Sequence, residues 1–270
     1  MIAEPLALPV RRRVLPAPSR ERWEPLRAGL INLWQYAEQE LWFHRGRLML
    51  QGRNGAGKTK VLEVLFPFLF DANLDPHRLS ASGGEGRDMR WNLLEGRKDG
   101  SFEFQARDSI VWLEFGRKAP TGETAFCTIG ARMRASTGSP RVNVAYFLTD
   151  QRVGEDLELV GEIADPGSSR RVRRPVSRDR LEEAIGAHGG VWDQRGPYRA
   201  ALDARLFALR GRLDGLVNLQ RSLRRPKLSE KFDLETVVGA PARCSAAARR
   251  RSRRPAGGGI RGAPPGGAGT

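Results

Sequence analysis

The stretch "GRNGAGKT", residues 52–59, constrains the fold more than any other part of the sequence. It matches the phosphate-binding loop pattern at every fixed position, with Gly52, four residues, and then Gly57, Lys58 and Thr59. Glycines let consecutive backbone N–H groups curl around a phosphate, which bulky side chains would obstruct. Such a loop needs a strand before it and a helix after it, so the motif predicts an α/β fold.

The residues on either side of the loop can supply both elements. Residues 48–50, in "GRLMLQG", predict a short apolar strand that ends at the loop. Residues 61–70 are apolar almost all round, which predicts a helix buried against a sheet. Pro67 removes a backbone donor and crowds the carbonyl four residues earlier. We therefore expect the helix to kink or to end early at Pro67.

The loop predicts a site for ATP and Mg²⁺. Its last amides lie at a helix N-terminus, where the helix dipole favours an anion. Lys58 is expected to reach the β and γ phosphates, and the Thr59 hydroxyl is expected to bind Mg²⁺. The candidate cofactor-binding residues are Gly52, Arg53, Asn54, Gly55, Ala56, Gly57, Lys58 and Thr59.

Strand patterns dominate the rest of the first 150 residues. "LINLW" and "ELWFH" precede the loop, and their aromatic residues Trp34, Tyr36, Trp42 and Phe43 are interpreted as packing residues, although one of them can stack on adenine. Three alternating runs follow the loop: "DSIVWLEFG", "TAFCTIGARMRAS" and "RVNVAYFLTD". They predict an antiparallel sheet that adjoins the sheet of the phosphate-binding loop.

The pattern becomes helical from Ser177. Ser177 can cap a first helix that stops at residues 189–190, and a second helix begins near Pro197. A third helix has an apolar stripe over residues 209–223. No partner for this stripe is recognisable downstream, so we expect marginal stability and poor solubility of the chain alone.

Charge and cysteine content limit the remaining classes of function. The net charge is +15, and seven arginines and no acid lie in residues 241–270, which predicts disorder. This tail is either a nucleic-acid-binding arm or an out-of-frame or degenerate end, and we favour the second interpretation because basic low-complexity runs carry little specificity. Cys127 and Cys244 indicate neither a metal cluster nor a disulfide framework. The cysteine content therefore predicts a cytoplasmic location, and the lack of an apolar run of about 20 residues predicts no membrane partner.

The acid needed for hydrolysis is not evident. Hydrolysis requires an acidic residue on a neighbouring strand to hold the magnesium shell. Asp150 is the nearest candidate, but it has the pattern of a turn residue at a strand end. Two alternatives to nucleotide binding without turnover stay open: a complete small P-loop NTPase that uses Asp150, and a basic nucleic-acid-binding module with a vestigial P-loop. Arg87, Arg90, Arg97 and Lys98 can line a DNA-facing surface, although a solvated face is the commoner explanation.

Several blocks resemble a known family. They are "RWEPLRAGLINLWQY", "LQGRNGAGKTKVLEVLFPFLFD", "MRWNLLEGR", "VWLEFGR" and "LQRSLRRPKLSEKFDLETV". These blocks resemble the N-terminal head segment of large SMC-like bacterial ATPases, the SMC component of Wadjet-type plasmid-defence systems, and more distantly MukB and SbcC. The resemblance covers about residues 22–238, and its "GxNGAGKT" Walker A form is typical of SMC and ABC-type heads.

The resemblance implies a P-loop NTPase half-head of ABC/SMC type, with an adjoining antiparallel sheet and a C-terminal helical segment. The implied organisation is a flexible lead-in at 1–21, the half-head at 22–176, helices leading toward a missing coiled coil at 177–238, and a disordered tail at 239–270. Family members continue to a C-terminal half-head with the signature and Walker B motifs. The implied partners are that half-head, a second SMC-like head, other subunits and DNA. We therefore expect a truncated fragment that binds ATP without independent turnover.

Overall fold

A computed structural model describes residues 14–79, 87–164 and 171–223 of the chain. Most of the predicted lead-in, residues 224–238 and the predicted tail at 239–270 lie outside the described residues. The expectations for those segments therefore stay predictions. Everything below refers to the described residues.

A six-stranded sheet forms the centre of the described structure. Its strands are β1 (Glu24–Leu33), β2 (Tyr36–Trp42), β3 (Ala106–Lys118), β4 (Thr124–Ser136), β5 (Ser139–Thr149) and β8 (Gly189–Trp192). The spatial order is β2-β1-β3-β4-β5-β8, and every neighbouring pair is antiparallel. The three alternating runs are confirmed as β3, β4 and β5. They continue the sheet of β1 and β2 and do not form a separate one, because β3 pairs directly with β1.

A second, two-stranded sheet pairs β6 (Val160–Ala164) with β7 (Arg171–Pro175). The sequence pattern did not predict this second sheet. Val160 of this hairpin packs with the cluster on the second face of the main sheet, which contains Ile110 and Trp112. The first face carries Val111 and Leu113 in the larger core, so the alternation predicted for β3 is confirmed.

The helix after the loop packs on the first face of the sheet. It consists of α1 (Lys58–Glu63), a π-helical turn (Val64–Phe68) and α2 (Leu69–Asp71). The helical chain runs past Pro67, so it does not end early there. A π turn uses a wider hydrogen-bond spacing than an α turn, and it accommodates the missing proline donor. Leu65, Phe68 and Leu69 have no exposed surface, which is consistent with the predicted burial.

The strand predicted at residues 48–50 is wrong. These residues have no regular secondary structure, and Met49 is 80% exposed. A single bridge between His44 and Arg47 turns the chain out of the sheet after β2. A strand persists only where a neighbour satisfies its backbone N–H and C=O groups. No strand among the described residues takes that place beside 48–50.

Short helices connect the remaining strands. They are α3 (Pro76–Leu79), α4 (Met89–Leu94) and α5 (Arg178–Ile185). The Ser177 hydroxyl accepts a hydrogen bond from the Arg180 amide at 3.3 Å, so the predicted cap of α5 is confirmed. A 3-10 turn over Gly186–His188 continues α5, and Gly189 lies at its C-terminal cap, so the predicted stop at residues 189–190 is confirmed. The same two glycines begin β8, where Gly190 pairs with Leu148 at the edge of the sheet.

The last helices find their partner upstream in the chain. α6 (Arg195–Leu202) continues into a π-helical turn (Asp203–Phe207), and α7 (Leu213–Leu223) follows. Leu213 and Val217 are buried in the same core as the helix that follows the loop. The Tyr198 hydroxyl donates to the Leu69 carbonyl at 2.8 Å, which links α6 to α2. The expectation that the apolar stripe of α7 lacks a partner is therefore wrong.

A buried ion-pair network lies at one end of the central strands, and the sequence pattern did not reveal it. The Glu114 carboxylate is fully buried and accepts hydrogen bonds from Arg27 at 2.6 Å and from Arg152 at 2.8 Å. Arg27 also donates to Glu40 at 3.0 Å. The network connects β1, β2, β3 and the segment after β5. Because a charge without its partner is costly in a protein interior, its members depend on one another.

We predict that Glu114→Ala lowers the free energy of unfolding by about 3–5 kcal/mol, because it leaves two guanidinium groups buried without their carboxylate. Glu123→Ala, in the exposed turn between β3 and β4, is the control and should change stability by less than about 0.5 kcal/mol. Urea unfolding of the two variants measures the difference. Equal stabilities would contradict a structural role for the network.

Candidate functional site

The loop at residues 52–59 meets the helix at a residue that must be glycine. Gly57 is the residue before α1 and has φ +84°, and Gly55 has φ +83°. Side chains disfavour this left-handed region, so the curvature of the loop depends on glycine at both positions. The loop pattern of the sequence and the backbone of the structure therefore agree at these two positions.

The loop folds around its own lysine. The Lys58 ammonium donates to the Gly52 carbonyl at 2.7 Å and to the Arg53 carbonyl at 2.8 Å. An ammonium has three N–H donors, so the carbonyls leave one for a further acceptor. Thr59 is exposed in the first turn of α1. The structure thus brings Lys58, Thr59 and the glycines of the motif together at one end of a buried helix.

The turn between β1 and β2 supports the loop from one side. The Tyr36 hydroxyl donates to the Ala56 carbonyl at 3.0 Å. The Trp34 ring lies so close to Gly57 that a Cβ atom there would be 2.2 Å from a ring carbon. These aromatic residues lie close together in the sequence, but their contact with the loop was not predictable, because about twenty residues separate them from it in the chain.

The same turn is fixed to the body of the protein through its backbone. The Trp34 amide donates to the Asn92 carbonyl of α4 at 3.1 Å. The Trp34 carbonyl accepts from Arg107 of β3 at 2.9 Å, and Arg107 also pairs with Glu95 at 2.6 Å. The aromatic side chains therefore contact the loop from a rigid support.

The charge of the site suits a polyphosphate. The eight loop residues include Arg53 and Lys58 and no acid. Residues 52–57 of the loop precede a continuous helical stretch at residues 58–71, whose N-terminus carries partial positive charge. No group of three or more His, Cys, Asp or Glu side chains able to hold a metal ion occurs among the described residues. Thr59 stays a predicted magnesium ligand, which would act together with phosphate oxygens.

Asp150 lies at the other end of the sheet. It follows Thr149, which is in register with Arg27 of β1 through β4 and β3. The loop contacts the turn after Leu33, six residues and roughly 20 Å further along β1. The Asp150 carboxylate contacts His188 at 3.1 Å. Asp150 is thus a residue at a strand end and is not brought to the loop.

The basic residues considered for a DNA-facing surface are mostly engaged within the chain. The Arg87 guanidinium lies 3.6 Å from the centre of the Trp91 ring. Arg90 donates to the carbonyls of Ser136 at 3.2 Å and Thr137 at 3.0 Å. Arg97 forms an ion pair with Glu103. Three of the four basic side chains therefore contact neighbouring parts of the same chain.

Comparisons of the chain with family models and with curated proteins return no relative. No protein-family model matches the chain, and a search of curated proteins finds no match either. Among the described residues, no helix combines the length and apolar character that crossing a bilayer requires. Functional proposals for this chain therefore depend on its own residues and geometry.

Two alanine substitutions test the construction of the loop. Gly55 and Gly57 have φ angles that agree within 1°. Of the two, only Gly57 has a neighbour within 4 Å of an added Cβ atom. We predict that Gly55→Ala lowers the free energy of unfolding by about 1–2 kcal/mol through backbone strain. Gly57→Ala should cost a further amount of about 1–3 kcal/mol because it displaces the Trp34 ring. Chemical denaturation compares the two, and equal losses would contradict the contact with Trp34.

Proposed function

We propose that this chain binds Mg·ATP in the loop at residues 52–59 and forms the N-terminal half-head of an SMC-like, ABC-type ATPase. One observation carries the proposal: the loop closes around the Lys58 ammonium and leads directly into a buried helix. Loops of this form hold phosphates through backbone N–H groups and a helix N-terminus. The mixed α/β architecture and the resemblance of the sequence blocks support the same proposal.

Within this proposal, Lys58 changes its partners when nucleotide arrives. Its ammonium would exchange the neutral carbonyls of Gly52 and Arg53 for the β and γ phosphates, to which it would bind more strongly because both partners are then charged. The Thr59 hydroxyl, already exposed beside the loop, would supply one oxygen to Mg²⁺. The chain's residues thereby bind and orient the triphosphate.

Two features support the idea that another polypeptide segment completes the head. Residues 48–50 have strand-forming composition but no strand neighbour, and Met49 is 80% exposed. Leu62 is 40% exposed, whereas Val61 before it and Val64 and Leu65 after it are buried. A C-terminal half-head would cover these residues and supply the acidic strand that Asp150 is too distant to replace. Hydrolysis would then require that half and a second head, and DNA handling or plasmid defence would belong to the assembly.

We predict that Lys58→Ala weakens the binding of Mg·ATP at least about tenfold, because hydrogen bonds to charged groups contribute about 1.5–3 kcal/mol. Isothermal titration calorimetry on the full chain measures the affinity. Lys118→Ala, which removes an exposed lysine at the end of β3, is the matched control and should bind as the wild type does. Wild-type protein that gives no binding heat with Mg·ATP would contradict the proposal.

We also predict that the isolated chain does not turn over ATP at steady state, because Asp150, the candidate acid, lies at the other end of the sheet from the loop. Phosphate release measured over many turnovers tests this. Steady turnover that is lost in Asp150→Asn would instead indicate a complete small NTPase. DNA binding that is indifferent to ATP and lost on deletion of residues 241–270 would indicate a basic nucleic-acid-binding module.

A further inference from the structure

We propose that Tyr36 is a positioning residue for the phosphate-binding loop, and that its hydroxyl fixes the orientation of the peptide between Ala56 and Gly57. This inference rests on the proposed function and adds a residue outside the loop motif to the site. Tyr36 lies at the start of β2, twenty residues before Ala56 in the chain. No part of the loop pattern specifies it.

The geometry of the peptide unit gives the hydrogen bond its consequence. The Tyr36 hydroxyl donates to the Ala56 carbonyl at 3.0 Å. In a trans peptide, the C=O of one residue and the N–H of the next lie in one plane and point in opposite directions. When Tyr36 holds the Ala56 carbonyl, the Gly57 N–H is therefore directed away from Tyr36. Its orientation no longer depends on the loop alone.

Trp34 restricts the backbone at Gly57, on the C-terminal side of the same peptide. Gly57 has φ +84°, and the Trp34 ring occupies the space that a side chain at Gly57 would need. The backbone of Trp34 is bonded to Asn92 and Arg107, so the ring is held from the body of the protein. Fixing donors before a ligand arrives lowers the entropy that binding must remove.

The protonation of Tyr36 agrees with a donor role. Burial raises the pKa of the Tyr36 hydroxyl above its ordinary value. The hydroxyl therefore keeps its proton at neutral pH and stays a donor to the Ala56 carbonyl. The phenol also lies with its ring 6.2 Å from the Trp34 ring, centre to centre, so the two aromatic residues support the loop together.

Removing only the hydroxyl tests the proposal, and the chain offers a matched control. Tyr36→Phe removes the bond to Ala56, while Tyr146→Phe removes an equally long bond, 3.0 Å, to the Ala72 carbonyl just beyond the far end of the same helical stretch. We expect Tyr36→Phe to bind both Mg·ATP and inorganic tripolyphosphate about three- to tenfold more weakly. Tyr146→Phe should change either affinity by less than about twofold.

The two probes separate positioning of the loop from contact with the base. Equal weakening for Mg·ATP and tripolyphosphate supports the proposal, because tripolyphosphate has no base. Weakening for Mg·ATP alone would overturn it, since Tyr36 would then act on the nucleoside. Unchanged affinity for both probes would overturn it as well.

A measurement without nucleotide distinguishes failure of this inference from failure of the proposed function. In ligand-free full-length protein, amide hydrogen exchange of residues 53–59 should be about three- to tenfold faster in Tyr36→Phe than in wild type. Tyr146→Phe should leave exchange in the loop unchanged. If wild type binds neither probe, the proposed function fails while faster exchange still supports the positioning role. Identical exchange in Tyr36→Phe and wild type would overturn that role.

Discussion

The packing of the helical stretch at residues 58–71 on one face of the sheet is the interaction on which the rest of the site depends. Phe68 and Leu69 are fully buried in it, and each such side chain contributes about 1.5–3 kcal/mol through burial. Because the loop precedes this helix without a spacer, burial of the helix also determines where the loop lies. The Tyr198 hydroxyl and the core residues of α7 hold the other end. A loop rich in glycine thereby gains a fixed position without an apolar core of its own.

Buried ion pairs also fix the positions of neighbouring helices and strands. At the C-terminal end of the helical stretch, the buried Asp71 carboxylate pairs with Arg78 of α3, and Arg195 of α6 lies 3.4 Å away. At one end of the central strands, Glu114 joins Arg27 and Arg152. Buried pairs of this kind cost desolvation, so they add little net stability but penalise any arrangement that separates the partners. They specify register and docking where apolar contacts are less selective.

The sequence predicted the features that arise from local periodicity and failed where a distant partner decides the outcome. Alternation identified β3, β4 and β5, because a period of two residues places one face of a strand in the core. Residues 48–50 have an equally apolar pattern but no strand neighbour, and without one they stay irregular. The partner of α7 was missed for the opposite reason, since the helix that it packs on lies about 140 residues upstream. The β-propensity of a segment indicates that it can form a strand, and the presence of a neighbouring strand decides whether it does.

The candidate site divides in the same way between what the motif specifies and what the fold adds. The glycines, Lys58 and Thr59 can be predicted from the sequence, because their residue types and spacing alone define the phosphate-binding loop pattern. The contact of Tyr36 with Ala56 cannot be predicted in this way. It depends on how β2 pairs with β1 and on where the helix after the loop packs on the sheet. Binding of a triphosphate requires only the first set together with its support. Hydrolysis requires in addition an acid on a strand beside the loop, and Asp150 lies at the other end of the sheet. In the proposed function, binding is therefore separable from turnover, because the loop and its supporting residues are assembled without Asp150.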